Sequence, residues 1–348
     1  MLEQSDIYTK FWSPQALEIR PCSRLFSLKP IGVETSATES LSSYLCRLAD
    51  EHCVSLQKLV TQEISSLITN SQREQDLSKS ISSIFGNSDT KPAINGMRDM
   101  TQSLIDALEQ LTLRQDLWYL SCLTYKGVIK ERSLFRPSKA WCPQCFEQQK
   151  QQKQLIYEPL LWSFKDVNYC LHHNCQLSDR CLGCDSTQKA IANHSCLGYC
   201  DKCKQWLGNN LNNEVEIAEK ERQIVAGIGE LIAISPNLYS PSTLTDMIQK
   251  LKLIQLSFER SLRQDLTQFI ALGKTLEQLK IAITRYPNKP LNLVSLLIPV
   301  CNLADISVAL LFKKDISTLG KILNINLNSQ IQKTSKTSSL TSMFNLKN

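Results

Sequence analysis

Apolar residues recur at helical spacing through most of this chain. Leu41, Tyr44, Leu45, Leu48 and Ala49 define one buried helical face. Ser36 and Glu39 precede it as a capping box, the hydroxyl and carboxylate covering the first free amides of the helix. The pattern breaks around Glu51 to Val54, and Ser55 stands ready to cap a second helix with Leu56, Leu59 and Val60. Two helices joined by a short turn are compatible with a helix-turn-helix, as they are with any small helical bundle. Residues 71–101 are polar, with Gly86, Asn87, Pro92 and Gly96, and read as a loop or loosely ordered insertion. A helical segment resumes over Met100 to Leu123.

After Asn213 the pattern is again helical, broken at Ser235-Pro236 and Ser240-Pro241. Leu244 to Leu272, Leu276 to Tyr286 and Leu293 to Phe312 are predicted helices, the last two separated by a turn over Arg285 to Pro290. This layout is compatible with a repressor-like helical DNA-binding domain and with a plain helical bundle that binds protein. Residues 1–24 read as an extended arm, since Pro14 and Pro21 interrupt any long helix. Phe11 and Trp12 on that arm are candidates either to anchor a partner or to dock on the protein's own core. The Ser/Thr/Lys/Asn-rich tail from Asn324 is expected to be disordered at its end.

Composition supports a mainly helical fold. The chain has 348 residues, enough for two or three domains, and only 11 glycines, few for the Gly-rich turns of a doubly wound enzyme. No basic segment followed by an apolar run opens the chain, so no secretory signal is expected and a cytoplasmic location is. Leu291 to Phe312 is interrupted by Pro299, Asn302 and Asp305 and would span a membrane poorly.

The 14 cysteines therefore point to metal rather than disulfides. Cys142-x-x-Cys145, Cys170-x-x-His173, Cys181-x-x-Cys184 and Cys200-x-x-Cys203 are four paired elements, and two side chains three residues apart can hold one ion from a single turn. Eight ligands complete two closed sites and imply two structural zinc ions. One would use Cys142, Cys145, Cys170 and His173; the other Cys181, Cys184, Cys200 and Cys203, whose inner pair encloses 15 residues. His172, Cys175, His194 and Cys196 are rival ligands, and a cross-braced pairing of alternate elements stays open on spacing. Cys22, Cys46, Cys53, Cys122 and Cys301 are scattered and expected to be small core residues. Trp141, Trp162, Trp206 and Leu207 would pack around the ligands, and the run Gln148 to Gln154 fits a solvated loop or helix tip.

Net charge is +6, unevenly placed: residues 120–210 carry 12 Lys/Arg against 7 Asp/Glu. Lys126, Lys130, Arg132, Arg136 and Lys139 are candidate nucleic-acid contacts, with a solvated basic face as the alternative. Catalytic zinc needs an open coordination position and a neighbouring base, and the chain has no His-x-Glu, no His-Glu-x-x-His and no P-loop. The run Asn168 to Asn174 between paired cysteines superficially resembles zinc-stabilised HNH nucleases, with His172 as the water-activating group, but lacks an evident acidic partner.

Three elements in order resemble the TniQ family of transposition target-selection proteins. They are Leu28 to Ile31 through Glu39 to Ala49; Arg136 through Trp141-Cys142-Pro143-Gln144-Cys145; and Trp162 through Cys170-Leu171-His172-His173, Leu177, Cys181 and Cys184 to Gly198-Tyr199-Cys200, Cys203 and Leu207. The resemblance covers roughly residues 25–210, and the C-terminal third is similar only in length and helical pattern. It implies a non-enzymatic adaptor that binds target DNA or an RNA-guided CRISPR effector ribonucleoprotein and recruits an AAA+ ATPase transposition regulator. It also implies that the eight paired residues are zinc ligands and that the N-terminal region, with Phe11 and Trp12, contacts the regulator. A homodimer stands as one candidate assembly, and no membrane partner is expected.

The expected fold class is mainly α with small zinc-binding modules. The arm at 1–24 leads to an N-terminal helix-turn-helix domain at 25–125. Tandem zinc fingers or ribbons at 126–212 follow, then a C-terminal helical domain, again compatible with a helix-turn-helix, at 213–325. A flexible tail at 326–348 closes the chain. A stand-alone sequence-specific DNA-binding regulator is the alternative function, and a zinc-stabilised nuclease a more distant one.

Overall fold

The structure is a computed structural model that describes residues 22–68, 94–210, 214–238, 241–262 and 269–323. Phe11, Trp12 and nearly all of the arm, most of the polar stretch 71–101, and the tail lie outside the described residues.

Helix α1 (Leu41–Glu51) is capped by Ser40, whose hydroxyl accepts from the Ser43 amide at 3.2 Å. The expected capping box of Ser36 and Glu39 does not form. Glu39 lies outside the helix, and its carboxylate is drawn to Arg47, two turns along α1. The turn at His52 to Val54 forms where the pattern breaks, with Cys53 in the left-handed region. Ser55 caps the next run as expected, accepting from the Lys58 amide at 3.3 Å. That run comprises α2 (Leu56–Lys58), a π-helical stretch (Leu59–Ile64) and α3 (Ser65–Ile68).

Helix α4 (Asp99–Thr112) is shorter than the apolar pattern suggests. Leu113 adopts φ 54°, and the Glu109 carboxylate accepts from the Leu117 amide at 2.9 Å, so the chain folds back. Two 3-10 turns, Trp118–Leu120 and Leu123–Tyr125, continue it. Leu41, Leu45, Leu48, Ile64, Leu104 and Leu108 form the centre of a first core, which Ile191 and Leu197 join from far along the chain.

Helix α5 (Pro143–Gln151) and the short antiparallel pair β1 (Tyr169–Cys170) and β2 (Cys175–Gln176) follow. Helix α6 (Glu219–Ile234) then packs against the 3-10 turn Leu160–Ser163 on one side and the late helices on the other. Tyr125 donates its hydroxyl to the Leu231 carbonyl, and Thr124 and Ser235 share a hydrogen bond of 2.8 Å. Trp141, Phe146 and Trp162 thus share one core with Ile228, Leu251 and Leu297.

The C-terminal helices are more broken than their hydrophobic pattern. One helix was expected over Leu244 to Leu272 and another over Leu276 to Tyr286; the structure has α7 (Leu244–Leu262) and α8 (Phe269–Thr284), with Gly273 inside α8 rather than at a boundary. The predicted helix over Leu293 to Phe312 divides into a π-helical stretch (Leu293–Leu297) running into α9 (Ile298–Leu303), then α10 (Val308–Phe312) and finally α11 (Ile316–Ile322) beyond it. Asp305 at φ 50° makes the break, and Glu230 of α6 secures it by accepting from Ser307 Oγ at 2.7 Å and the Val308 amide at 2.9 Å. No helix among the described residues is long and apolar enough to cross a membrane.

Candidate metal centres

The ligand pairs close in sequential order. Cys142, Cys145, Cys170 and His173 converge in one cluster and Cys181, Cys184, Cys200 and Cys203 in another, each with its ligand atoms within 4.8 Å of one another. Adjacent pairs rather than alternate ones therefore share a centre.

In the first cluster, Cys142 is the N-cap of α5, and its sulfur accepts from the Cys145 amide at 3.4 Å. Pro143 at the first helical position has no amide to leave unpaired, which suits a helix start. The hairpin of β1 and β2 brings Cys170 and His173 opposite, with Asn174 at φ 45° turning the chain. His173 Nδ1 lies 3.5, 3.3 and 3.7 Å from the sulfurs of Cys142, Cys145 and Cys170, and Cys145 Sγ lies 3.7 Å from Cys170 Sγ. Tetrahedral zinc, with bonds of about 2.3 Å to sulfur and 2.0–2.1 Å to nitrogen, demands edges of about 3.8 Å between sulfurs and 3.6 Å from sulfur to nitrogen. The donor set and its spacing fit that ion.

Charge points the same way. Hydrogen bonds with Cys142 and Cys145 hold the Cys170 thiol well below its ordinary value, while bonds with Cys145 and Cys170 push Cys142 up. Three thiols this close share protons instead of all ionising, and a dication is the charge that lets them ionise together.

The second cluster is built from two knuckle turns. The Cys200 amide donates to the Gln205 carbonyl at 2.9 Å, the Lys204 amide donates back to the Cys200 carbonyl at 3.0 Å, and Lys204 takes φ 61°. The Cys181 turn repeats this: Cys181 bonds the Ser186 carbonyl, the Asp185 amide donates to Cys181, and Asp185 sits at φ 52°. Cys181 Sγ is 3.6 Å from Cys203 Sγ, and Cys184 Sγ is 3.7 Å from Cys200 Sγ, again tetrahedral edges. A hydrogen bond with Ser186 lowers the Cys184 thiol. Buried Gln188 ties the module together, donating to the Ser186 carbonyl at 2.9 Å and to Cys200 Sγ at 3.3 Å while accepting from the Asp201 amide at 2.7 Å.

The rival ligands fall elsewhere. His172 turns outward, its Nε2 3.3 Å from Gln148 Oε1, into a shallow groove lined by Gln144, Gln148, Gln151, His173 and Asn210 without a carboxylate. His194 and Cys196 are exposed and outside both clusters. Cys175 is buried with its sulfur 3.5 Å from that of Cys142, a fourth thiol at the margin of the first cluster. Cys46, Cys122 and Cys301 are core residues, with thiols pushed up by burial, but Cys22 and Cys53 are exposed, contrary to expectation.

Packing around the clusters is aromatic. Trp141 is buried and donates Nε1 to the Leu207 carbonyl at 3.2 Å; Phe146 meets Trp162 edge-on at 5.5 Å; Trp206 donates to Glu147 at 2.8 Å. Gln148 to Gln151 end α5, and Gln152 to Gln154 form its exposed exit.

The five basic residues ahead of the clusters divide. Lys130 and Arg132 are exposed, and Lys126 pairs at the surface with Asp99. Arg136 turns inward, donating to the Phe164 carbonyl at 2.9 and 3.1 Å and to that of Val167. Lys139 forms a 2.7 Å ion pair with Glu158, both side chains nearly covered. Burial, the largest single influence, would lower the Lys139 ammonium, but the charge and hydrogen bond of Glu158 together with Cys46 and Asp201 outweigh it and the group is raised. Three further lysines, Lys189, Lys202 and Lys204, gather on one groove of the second module, which no local sequence pattern announces because they come from both of its arms.

No curated protein matches the chain. Residues 30–177, which run from the segment before α1 through the whole of the first cysteine–histidine cluster, match the model of the TniQ family, and the chain therefore carries a TniQ-family domain.

Proposed function

We propose that this chain is a non-enzymatic target-selection adaptor of DNA transposition, joining target DNA or an RNA-guided CRISPR effector to an AAA+ regulator. The TniQ domain over residues 30–177 carries the reading, since that domain marks a transposition-associated role in DNA binding or target selection. The geometry adds support. Both clusters offer four protein ligands, the count of a closed structural zinc site rather than a catalytic one with a free position. Each centre braces an interface: the first lies in the core shared with α6, and the second seats Ile191 and Leu197 against the N-terminal helices. Zinc held there would supply folding free energy, on the order of 10 kcal/mol per site.

Co-purification with the AAA+ ATPase of the same transposon tests the proposal, at low and moderate salt. A stable complex is expected. DNA binding without any association with the ATPase would favour a stand-alone DNA-binding regulator, and metal-dependent cleavage lost in His172→Ala would favour a nuclease.

A further inference from the structure

The second cysteine cluster carries a groove of 540 Å³ whose charge is one-sided. Lys189, Lys202 and Lys204 line it together with His194 and Asn193, and its one carboxylate is Asp201. That carboxylate faces inward: Oδ1 accepts from the Ser195 hydroxyl at 3.1 Å, and Oδ2 is shut off from solvent. The groups turned to water are therefore cationic or neutral, with Lys202, Lys204 and His194 exposed.

The walls are also fixed in shape. One arm contains residues 186–194 and the other 200–204, and buried Gln188 of the first bonds within it to the Ser186 carbonyl and across to Cys200 Sγ and the Asp201 amide. Lys204 donates across the groove to the His194 carbonyl at 3.2 Å. On the far side, the Lys139 amide donates to the Gln188 carbonyl at 2.9 Å, anchoring the groove to the TniQ domain. A rigid concave surface with several ammonium groups and no outward carboxylate is suited to a polyanion of regularly spaced charge.

We infer that this groove binds the phosphodiester backbone of a nucleic acid, with Lys189, Lys202 and Lys204 as the phosphate contacts. The inference deepens the adaptor reading and rests on it only for the identity of the nucleic acid. Phosphate contacts of this kind position a protein without reading sequence, so the groove contributes affinity and salt dependence rather than specificity.

The test uses the zinc-loaded full chain, a 30-base-pair DNA duplex and a single-stranded RNA of equal length, titrated from about 50 to 200 mM salt. Each phosphate contact contributes about −0.9 to the slope of log affinity against log salt on duplex DNA and about −0.7 on a single strand. Replacing the three lysines by glutamine is expected to flatten the slope by about 2 to 3 with the zinc content unchanged, and the corresponding triple arginine variant to restore it. Whichever probe shows the change identifies the source of the backbone. An unchanged slope overturns the inference and assigns the lysines to balancing the four thiolates. Flattening by Lys126→Gln, Lys130→Gln and Arg132→Gln instead would also overturn it, as would loss of an acidic protein partner with nucleic-acid binding intact. Association with the ATPase is read separately, so failure of the adaptor proposal is distinguishable from failure of the groove.

Discussion

Replacing Arg47 by methionine isolates the ion pair on which the N-terminal part of the TniQ domain turns. Glu39 is fully buried, and Arg47 meets it with two hydrogen bonds, Nε to Oε1 and Nη2 to Oε2, both 2.7 Å. Ser43 donates to Oε1 at 3.0 Å, the Ile31 amide to Oε2 at 3.3 Å, and Arg47 reaches the Lys29 carbonyl at 2.9 Å. Two unit charges about 4 Å apart at an effective dielectric of about 20 attract by about 4 kcal/mol. Removing one partner of such a pair costs about 3–5 kcal/mol, because the other charge stays buried with neutral donors only. Arg47→Met is therefore expected to lose about 3–5 kcal/mol, a large share of the total for an ordinary domain. Glu39→Met with Arg47→Met should lose less than Arg47→Met alone, since only the Ser43 hydroxyl and Ile31 amide lose an acceptor. Urea unfolding of the zinc-loaded protein, followed by far-ultraviolet circular dichroism, gives both values. A loss below about 1 kcal/mol in Arg47→Met, or a loss in the double variant as large as in Arg47→Met alone, would refute the reasoning. The consequence reaches the first metal centre, because Glu39 bridges to Pro159 and the Leu160 amide donates to the Thr38 carbonyl at 2.7 Å.

Three further outcomes follow from the geometry. Elemental analysis should find about two zinc ions per chain in the parent, in His172→Ala and in Cys175→Ser, but about one in His173→Ala; equal loss in His172→Ala and His173→Ala would defeat the ligand assignment. Gly198, at φ 77°, lies where a methyl group would overlap the Trp206 ring, so Gly198→Ala should cost about 1–3 kcal/mol and shift the tryptophan emission; an unshifted melting temperature would contradict this. Lys250 is buried on α7, donating to Ser242 Oγ at 2.8 Å and to the Leu311 and Lys313 carbonyls, and burial lowers its ammonium to about 8. Between about 8 and the ordinary lysine value near 10.4 the unfolded chain holds a proton that the folded chain does not, so this group makes stability rise with pH across that window. The stability difference between the parent and Lys250→Met should rise likewise, and a difference flat in pH would remove the titration argument.

The two cysteine and histidine clusters were legible because the pairing that builds them is local. A ligand pair must come from one tight turn, so three-residue steps survive in the sequence whatever the fold does around them. The step from Cys170 already favours His173, and the hairpin that turns at Asn174 realises it by directing His172 outward toward Gln148. Illegibility begins where a partner lies far along the chain. Ser36 and Glu39 have the spacing of a capping box, but Arg47 removes Glu39 from that role and Ser40 takes over. Arg136 and Lys139 carry the charge of a nucleic-acid surface, yet the Phe164 and Val167 carbonyls and Glu158 hold them inside. The break before α10 is of the same kind, since the Glu230 carboxylate that caps Val308 comes from α6 and leaves no mark near Asp305. The basic groove extends this reasoning to function. Lys189 lies between the two ligand pairs, 13 residues before Lys202 inside the second pair, and they become neighbours only because the second cluster folds its two arms together. The convergence of Cys181, Cys184, Cys200 and Cys203 is thus a condition for the charge pattern, and replacing Cys181 and Cys184 by serine should flatten the same salt slope as removing the lysines.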